Sequence, residues 1–369
     1  MMTAIIVTAI LLVIAIIVGA VALAFNGVFD DLFTKKDNYV EQDDGGKDKP
    51  NKDSADASQN ILYPNNLNLP IKSPSGNYVS KTSGSVQQIS GIASEAAILV
   101  KVNGNISIAE KNADVRVHPA SMTKLMTLIV ACENMTTTNT LLTVEQWMED
   151  YRYAEGGSGI GMKVGQQISV EDTLYLISFC SDTLACLMIA KHIAGSEQAF
   201  VKLMNDKARE LGLNNTHFAN TTGLYDDKTN GSRGVANDYT YTTCRDMAAI
   251  MNYAMNNTAV KKIITSVNHG MPVYRNNVQE TSFSPSTRWY SNPNRFNNNS
   301  NISSTTKVIA GKTGGEDIPS SCFVTVAQNS STGEEYICVV IGRINQSGAS
   351  VSEKQSTSDT RKVYLNYIN

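Results

Sequence analysis

"VHPASMTKLMTLIVACE", residues Val117 to Glu133, places a serine three positions ahead of a lysine where a proline-containing segment turns into an apolar run. Leu125, Leu128, Ile129 and Cys132 recur at i, i+3, i+4 and i+7, with Met126 and Val130 on other faces, and this spacing predicts a largely buried helix. Ser121 falls at its first turn and Lys124 one turn on, so hydroxyl and amine share a face. A serine hydroxyl is a poor nucleophile until a base takes its proton, and a lysine serves as that base only when neutral, a form favoured by burial and by a second cation. The helix start adds backbone N–H groups and a positive dipole end suited to an oxyanion. The spacing alone is weak, because Ser-x-x-Lys arises about once by chance in a chain of average composition. An N-cap serine is the ordinary alternative. Ser304-Thr305-Thr306-Lys307 repeats the spacing, but a strand-like run follows it and no helix holds that pair on one face.

Upstream, "AAILVKV" (Ala96 to Val102) and "NISIAEK" (Asn105 to Lys111) read as two strands joined through Asn103-Gly104, a dipeptide typical of tight hairpins. Downstream, "SVEDTLYLISFC" (Ser169 to Cys180) opens with a capping box, Ser169 with Asp172, and leads to Ser181-Asp182-Thr183. A second apolar helix, Leu184 to Ile193, then stops at Gly195. The only Lys-Thr-Gly in the chain, Lys312-Thr313-Gly314, precedes strand-like runs near Cys322 to Ala327 and Tyr336 to Ile344.

The whole chain sets wider bounds. Its 369 residues, 42% hydrophobic and 18% charged, suffice for one large core or two modest ones. A formal net charge of −3 argues against a nucleic-acid partner, which would call for a basic face. Thr3 to Phe25 is 23 residues without a charge, long enough to cross a bilayer. It reads as a transmembrane signal anchor, or as a signal peptide cut after the small-x-small triplet Ala22-Leu23-Ala24. Lys35 and Lys36 behind it would by themselves put the rest of the chain in the cytoplasm. From Lys35 to Asn60 the composition is that of a solvated tether, and Ile61 to Ile92 is rich in Pro, Ser, Gly and Asn. The expected division is residues 1–25 as the apolar segment, 26–92 as polar linker and 93–369 as the folded domain.

Six cysteines, at 132, 180, 186, 244, 322 and 338, form no C-x-x-C pair and no metal-like spacing with the four histidines, so no metal or cofactor site is expected. They read as small buried hydrophobes, with a bridge between Cys322 and Cys338 on neighbouring strands as the alternative. "GGSGIGMK" (Gly156 to Lys163) matches neither phosphate-loop nor dinucleotide spacing and reads as a flexible loop. "SNPNRFNNNSNIS" (Ser291 to Ser303) reads as a surface insertion, and His118 as a packing residue rather than a base.

Ser-x-x-Lys at Ser121, Ser-Asp-Thr at Ser181 and Lys-Thr-Gly at Lys312 stand in the order seen in the D-alanyl-D-alanine carboxypeptidases among the low-molecular-mass penicillin-binding proteins, relatives of the serine β-lactamases. The chain resembles that family also through "EKNADVRVHPASMTKLMT" (Glu110 to Thr127), "LACLMIAKHIAGSEQAF" (Leu184 to Phe200), "FANTTGLYD" (Phe218 to Asp226) and "YTTCRDMAAI" (Tyr241 to Ile250). The resemblance implies an α/β fold in which an antiparallel sheet is sandwiched by helices and closed by N- and C-terminal strands. It implies Ser121 as the acylated nucleophile, Lys124 as its base, Ser181 as a proton relay and Lys312 as the second cation. It implies Thr183, Thr313, Gly314 and Gly315 as substrate contacts, with an oxyanion hole from the N–H groups of Ser121 and Gly315. The implied partners are peptidoglycan stem peptides and β-lactams at an extracytoplasmic site on a membrane-anchored chain, or on a secreted one if the N-terminal segment is cleaved.

Three departures bear on activity. Thr183 stands where the family has asparagine, replacing an amide by one shorter hydroxyl. Glu316 and Asp317 follow Gly315 where the family has a threonine and an Ala-Gly pair, and acidic groups at a cleft edge repel a peptide carboxylate. Arg343 is either a compensating cation or a solvated strand-end residue. Two further readings therefore accompany the active carboxypeptidase: a degenerate wall-peptide binder and a β-lactamase.

Overall fold

The computed structural model describes residues 67, 69–138, 140–224, 238–284, 302–315, 321–342 and 353–368. The apolar run Thr3 to Phe25, the tether Lys35 to Asn60, Glu316, Asp317, Arg343 and most of the asparagine-rich segment lie outside them. Among the described residues no helix is long and apolar enough to cross a membrane.

In chain order the elements begin with β1 (Lys81–Gln88), β2 (Ala96–Lys101) and β3 (Ile106–Lys111). A 3-10 turn, Ala120–Thr123, leads into α1 (Lys124–Asn134), followed by β4 (Leu141–Thr143), α2 (Gln146–Ala154) and β5 (Gln166–Ser169). Helices α3 (Val170–Phe179), α4 (Thr183–Ala194), α5 (Glu197–Glu210), α6 (Cys244–Asn256) and α7 (Thr258–Thr265) come next. The chain closes with β6 (Met271–Arg275), β7 (Val278–Phe283), β8 (Thr306–Gly314), β9 (Cys322–Asn329), β10 (Glu335–Ile341) and α8 (Glu353–Tyr367).

The main sheet runs β1-β3-β2-β10-β9-β8 and is antiparallel except where β1 pairs with β3. N- and C-terminal strands therefore meet at its centre, as expected. Both faces are covered, which explains why β10 reads as an unbroken apolar run rather than an alternating one. Along β9, Val324 and Val326 point into the core built with α1, α4 and α6, whereas Phe323 and Ala327 point to a second core with Val363 and Tyr364 of α8. The buried Asp359 accepts from the backbone N–H (2.7 Å) and hydroxyl (2.8 Å) of Ser94, pinning α8 to the start of β2.

Local signals are realised. Asn103-Gly104 sits in the β2–β3 turn, with Gly104 at φ 87. Ser169 caps α3 by accepting from the Asp172 N–H at 3.1 Å, and Gly195 ends α4 in the left-handed region at φ 78. All six cysteines are buried and free. A Cys322–Cys338 bridge is excluded by register: Cys322 faces Ile341 and Cys338 faces Thr325, so the two side chains lie on opposite faces of the sheet.

Ordered packing starts upstream of Ala93, within the stretch that reads as linker. Leu67 is buried, the Ile71 N–H donates to the Cys132 carbonyl at 3.0 Å, and β1 joins the sheet. An exposed edge strand has no inward apolar series to reveal it, and "KTSGSVQQ" carries none. A second sheet, β4-β5-β6-β7, lacks a sequence signal for the same reason, its strands being short and its edge exposed.

Candidate active site

The turn before α1 is strained and tightly held. Ala120 has φ 47, a left-handed conformation that disfavours a side chain. Its N–H donates to His118 Nδ1 at 3.2 Å, and the Met122 N–H closes the turn on the Pro119 carbonyl at 3.1 Å. Burial lowers the His118 pKa to about 4, which keeps the ring neutral and able to accept that bond. Two glycines grip the turn from outside. A Cβ on Gly223 would fall 1.9 Å from the Ala120 carbonyl oxygen, and one on Gly314 would fall 2.7 Å from the Pro119 oxygen. Strand β8 is thereby pressed against the segment that presents Ser121.

Lys124 is wholly buried, and its Nζ donates to Ser121 Oγ at 3.0 Å and to the Thr222 carbonyl at 2.8 Å. The Thr222 carbonyl is aimed by Asn220, whose Oδ1 accepts from the Thr222 N–H, the Thr222 hydroxyl and the Gly223 N–H. Sequence reading missed Asn220, Thr222 and Gly223 as contributors. Their only signal was the likeness in "FANTTGLYD".

The second pair joins the turn between α3 and α4 to β8. Lys312 is also wholly buried and donates to Ser181 Oγ at 3.1 Å and to the Thr313 carbonyl at 3.0 Å. Ser181 itself has φ 52. Asp182, buried, caps α4 by accepting from the Ala185 N–H at 3.0 Å. Burial raises the Asp182 carboxyl above the usual range, opposed by the backbone N–H groups it accepts from and by the charge of Lys124. The Cys186 thiol is pushed up to about 12 by burial, while the charges of Lys124 and Lys312 both pull it down. Both lysines therefore bear on the first turn of α4, and the two serine–lysine pairs converge there.

Thr183 opens α4. It is fully buried, and its hydroxyl makes no hydrogen bond. A Cβ on Gly157 would come within 2.6 Å of Thr183 Oγ1, so the loop covers the side chain at close range. Thr313 is half-buried at the end of β8, Gly314 is buried against the Pro119 carbonyl, and Gly315, half-buried, has φ 100.

The glycine-rich segment is not the flexible loop its composition suggested. The Thr183 N–H donates to the Ser158 carbonyl (2.9 Å), the Ser158 hydroxyl to the Ser181 carbonyl (2.7 Å) and the Ile160 N–H to Asp182 Oδ2 (2.9 Å). A Cβ at Gly157 or Gly159 would collide with Thr183 or Asp182, and Gly156 and Gly161 take left-handed φ of 64 and 80, so close approach and backbone conformation, not mobility, account for the glycines.

Glu210-Leu211-Gly212-Leu213-Asn214 carries the Glu-x-x-Leu-Asn spacing associated with the deacylating glutamate of class A β-lactamases. In the fold, Glu210 ends α5 with a half-exposed carboxylate held by Lys207 at 2.7 Å. Lys207 also pairs with Glu133 at 2.7 Å, near the end of α1 remote from Ser121 and about 15 Å along the helix axis. That placement gives Glu210 no part in the site. Lys307 of the Ser304 repeat lies on β8, so that pair shares no helix face. Among the described residues no cluster of three or more His, Cys, Asp or Glu is placed to hold a metal.

The chain folds into an α/β domain that holds two serine–lysine pairs, and comparison with known proteins gives its family. The sequence profile of the D-alanyl-D-alanine carboxypeptidases matches residues 82–345, so the chain belongs to that family. The D-alanyl-D-alanine carboxypeptidase DacF of Bacillus subtilis (strain 168) is 36% identical over 133 residues, covering 36% of this chain and 34% of the relative. DacA of Escherichia coli (strain K12), of the same description, is 36% identical over 165 residues, covering 43% of this chain and 38% of the relative. The chain thus spans little more than a third of the length of these curated relatives. The crystal structure of the Streptomyces K15 DD-transpeptidase superposes with a TM-score of 0.60 at 22% identity, covering 76% of this chain and 99% of that one, a likeness of fold.

Proposed function

We propose that this protein is a serine-type acyl-enzyme hydrolase that removes the terminal D-alanine from peptidoglycan stem peptides and is acylated by β-lactams. The observation that carries the reading is the 3.0 Å hydrogen bond from Lys124 Nζ to Ser121 Oγ on a strained, glycine-gripped turn. Ser121 Oγ attacks the carbonyl carbon of the penultimate D-alanine as its proton passes to Lys124. Backbone N–H groups of Ser121 and Gly315 receive the oxyanion, and Ser181, held by Lys312, relays the proton to the departing D-alanine nitrogen. Water then attacks the ester carbon, loses its proton to the same base and frees Ser121. Thr313, with Gly314 beside it, receives the terminal carboxylate. This chemistry requires no cofactor.

The substrate class places the domain outside the cytoplasmic membrane, with Thr3 to Phe25 as anchor or cleaved leader, overriding the weak charge signal of Lys35 and Lys36. A reporter active only in the cytoplasm, fused after Asn369, is expected to stay silent, and a signal from it removes the wall-peptide reading.

A degenerate peptide binder is the second reading, favoured by the buried, unbonded Thr183 hydroxyl in place of a cleft-facing amide. The two separate on one pair of assays: labelled-penicillin acylation of the purified protein and D-alanine release from a pentapeptide ending in D-alanyl-D-alanine. Acylation with release supports the hydrolase, acylation without release supports the binder, and neither event ends both readings.

A further inference from the structure

Ser181 is held in a conformation it would not choose, and the structure shows what holds it. Its φ of 52 lies in the left-handed region, which is unfavourable for a residue with a side chain. The residues on both sides of it are pinned. The Cys180 N–H donates to the Leu176 carbonyl at 3.0 Å at the end of α3, and Asp182 caps α4. The peptide that Ser181 shares with Asp182 is held at its two polar ends: the Asp182 N–H donates to the Leu176 carbonyl at 3.3 Å, a long bond, and the Ser181 carbonyl takes the Ser158 hydroxyl at 2.7 Å, the shorter of the two. On the same residue, the Ser181 hydroxyl accepts from Lys312 Nζ at 3.1 Å.

Ser158 is itself anchored at both ends. Its carbonyl accepts from the Thr183 N–H at 2.9 Å, and the Gly157 N–H before it donates to the Arg152 carbonyl at 2.7 Å. Arg152 in turn donates through Nε to Glu149 at 2.8 Å within α2. A rigid path therefore runs from α2 through Ser158 to the Ser181 peptide. The path needs glycine at 157 and 159, where a Cβ would come within 2.6 Å of Thr183 Oγ1 and 2.7 Å of Asp182 Oδ2.

We propose that Ser158 is a positioning residue for Ser181: its side-chain hydrogen bond fixes the peptide whose orientation sets the Ser181 hydroxyl against Lys312. Ser158 touches no reacting atom and acts through Ser181 alone. The proposal rests on the acyl-enzyme reading for its kinetic consequence, but its structural content stands without it.

The test compares Ser158→Ala and Ser158→Thr with the parent chain. Ser158→Ala is expected to lower kcat for D-alanine release about ten- to a hundredfold, the effect of a misplaced group near the chemistry, with KM changed less than about twofold. Amide exchange at Asp182 and Thr183 is expected to quicken, and Ser158→Thr, which keeps the hydroxyl, to restore both. Parent kcat and parent exchange in Ser158→Ala overturn the proposal. So does a kcat loss that Ser158→Thr fails to restore and that follows a fall in Tm, since that pattern is ordinary destabilisation. If the parent releases no D-alanine, the hydrolase reading fails by itself. Faster exchange confined to Asp182 and Thr183 then still supports the positioning role, and unchanged exchange still overturns it.

Discussion

Lys312 Nζ lies 3.1 Å from Ser181 Oγ, although the two residues stand 131 positions apart in the chain. The pair at Ser121 and Lys124 is three positions apart and is built by one helical turn. The site thus combines one pair made by local geometry with another made where the turn between α3 and α4 meets β8.

Ser121→Ala is expected to abolish covalent labelling by penicillin. Lys124→Met is expected to slow acylation about 10²- to 10⁴-fold, the usual range for a lost general base, while leaving non-covalent affinity within a few-fold. Stopped-flow acylation alongside equilibrium binding measures both. Unchanged acylation in Lys124→Met would refute its role as base.

Thr183 and Gly157 are expected to behave as a coupled pair. Thr183→Val removes a buried hydroxyl that has no partner, and should stabilise by about 1 kcal/mol, raising Tm by about 2–4 °C. Gly157→Ala inserts a Cβ 2.6 Å from Thr183 Oγ1 and should cost about 1–3 kcal/mol. In a Thr183→Ala background that cost should shrink by about 1 kcal/mol or more, and denaturant melts of the four proteins give the coupling. Independent effects would show that the loop does not rest on Thr183. D-alanine release by Thr183→Val, if lowered more than about tenfold, would show that the hydroxyl serves the substrate after all.

Acidification is expected to weaken the turn that presents Ser121. His118 titrates near 4 in the folded chain against an ordinary value of 6.5, because burial disfavours its charged form. At pH below 6.5 the unfolded chain binds more protons at this site than the folded one, so stability falls as pH falls from 6.5 to 4 and levels off below. The ring is not fully enclosed, so the loss is on the order of 2 kcal/mol. The difference between parent and His118→Gln in Tm against pH isolates it, since glutamine does not titrate. Identical slopes would remove His118 as the cause.

The cysteines are expected to be thiols. Opposed faces of the sheet separate Cys322 from Cys338, and all six are buried. Alkylation in denaturant without reductant should therefore add six labels, whereas the native protein should react slowly. Fewer than six labels after denaturation would show a bridge that the register forbids.

What was legible in the sequence was whatever arises within a few residues. The 3.6-residue period marked α1, the capping box started α3, Gly195 stopped α4, and Asn103-Gly104 turned β2 into β3; Lys124 meets Ser121 through three-residue spacing as expected, but across a 3-10 turn that precedes α1 rather than within the helix. These follow from backbone geometry that neighbouring residues impose on one another. The tertiary structure alone decided the rest. It brought Lys312 to Ser181 and the Thr222 carbonyl to Lys124, recruited β1 to the sheet, and set Cys322 and Cys338 on opposite faces. It also turned a glycine-rich stretch that reads as mobile into the support beneath Ser181 and Thr183. Each of these contacts depends on strand register and on how closely two backbones approach. Those quantities are set by packing across the whole core, and no short window of residues encodes them.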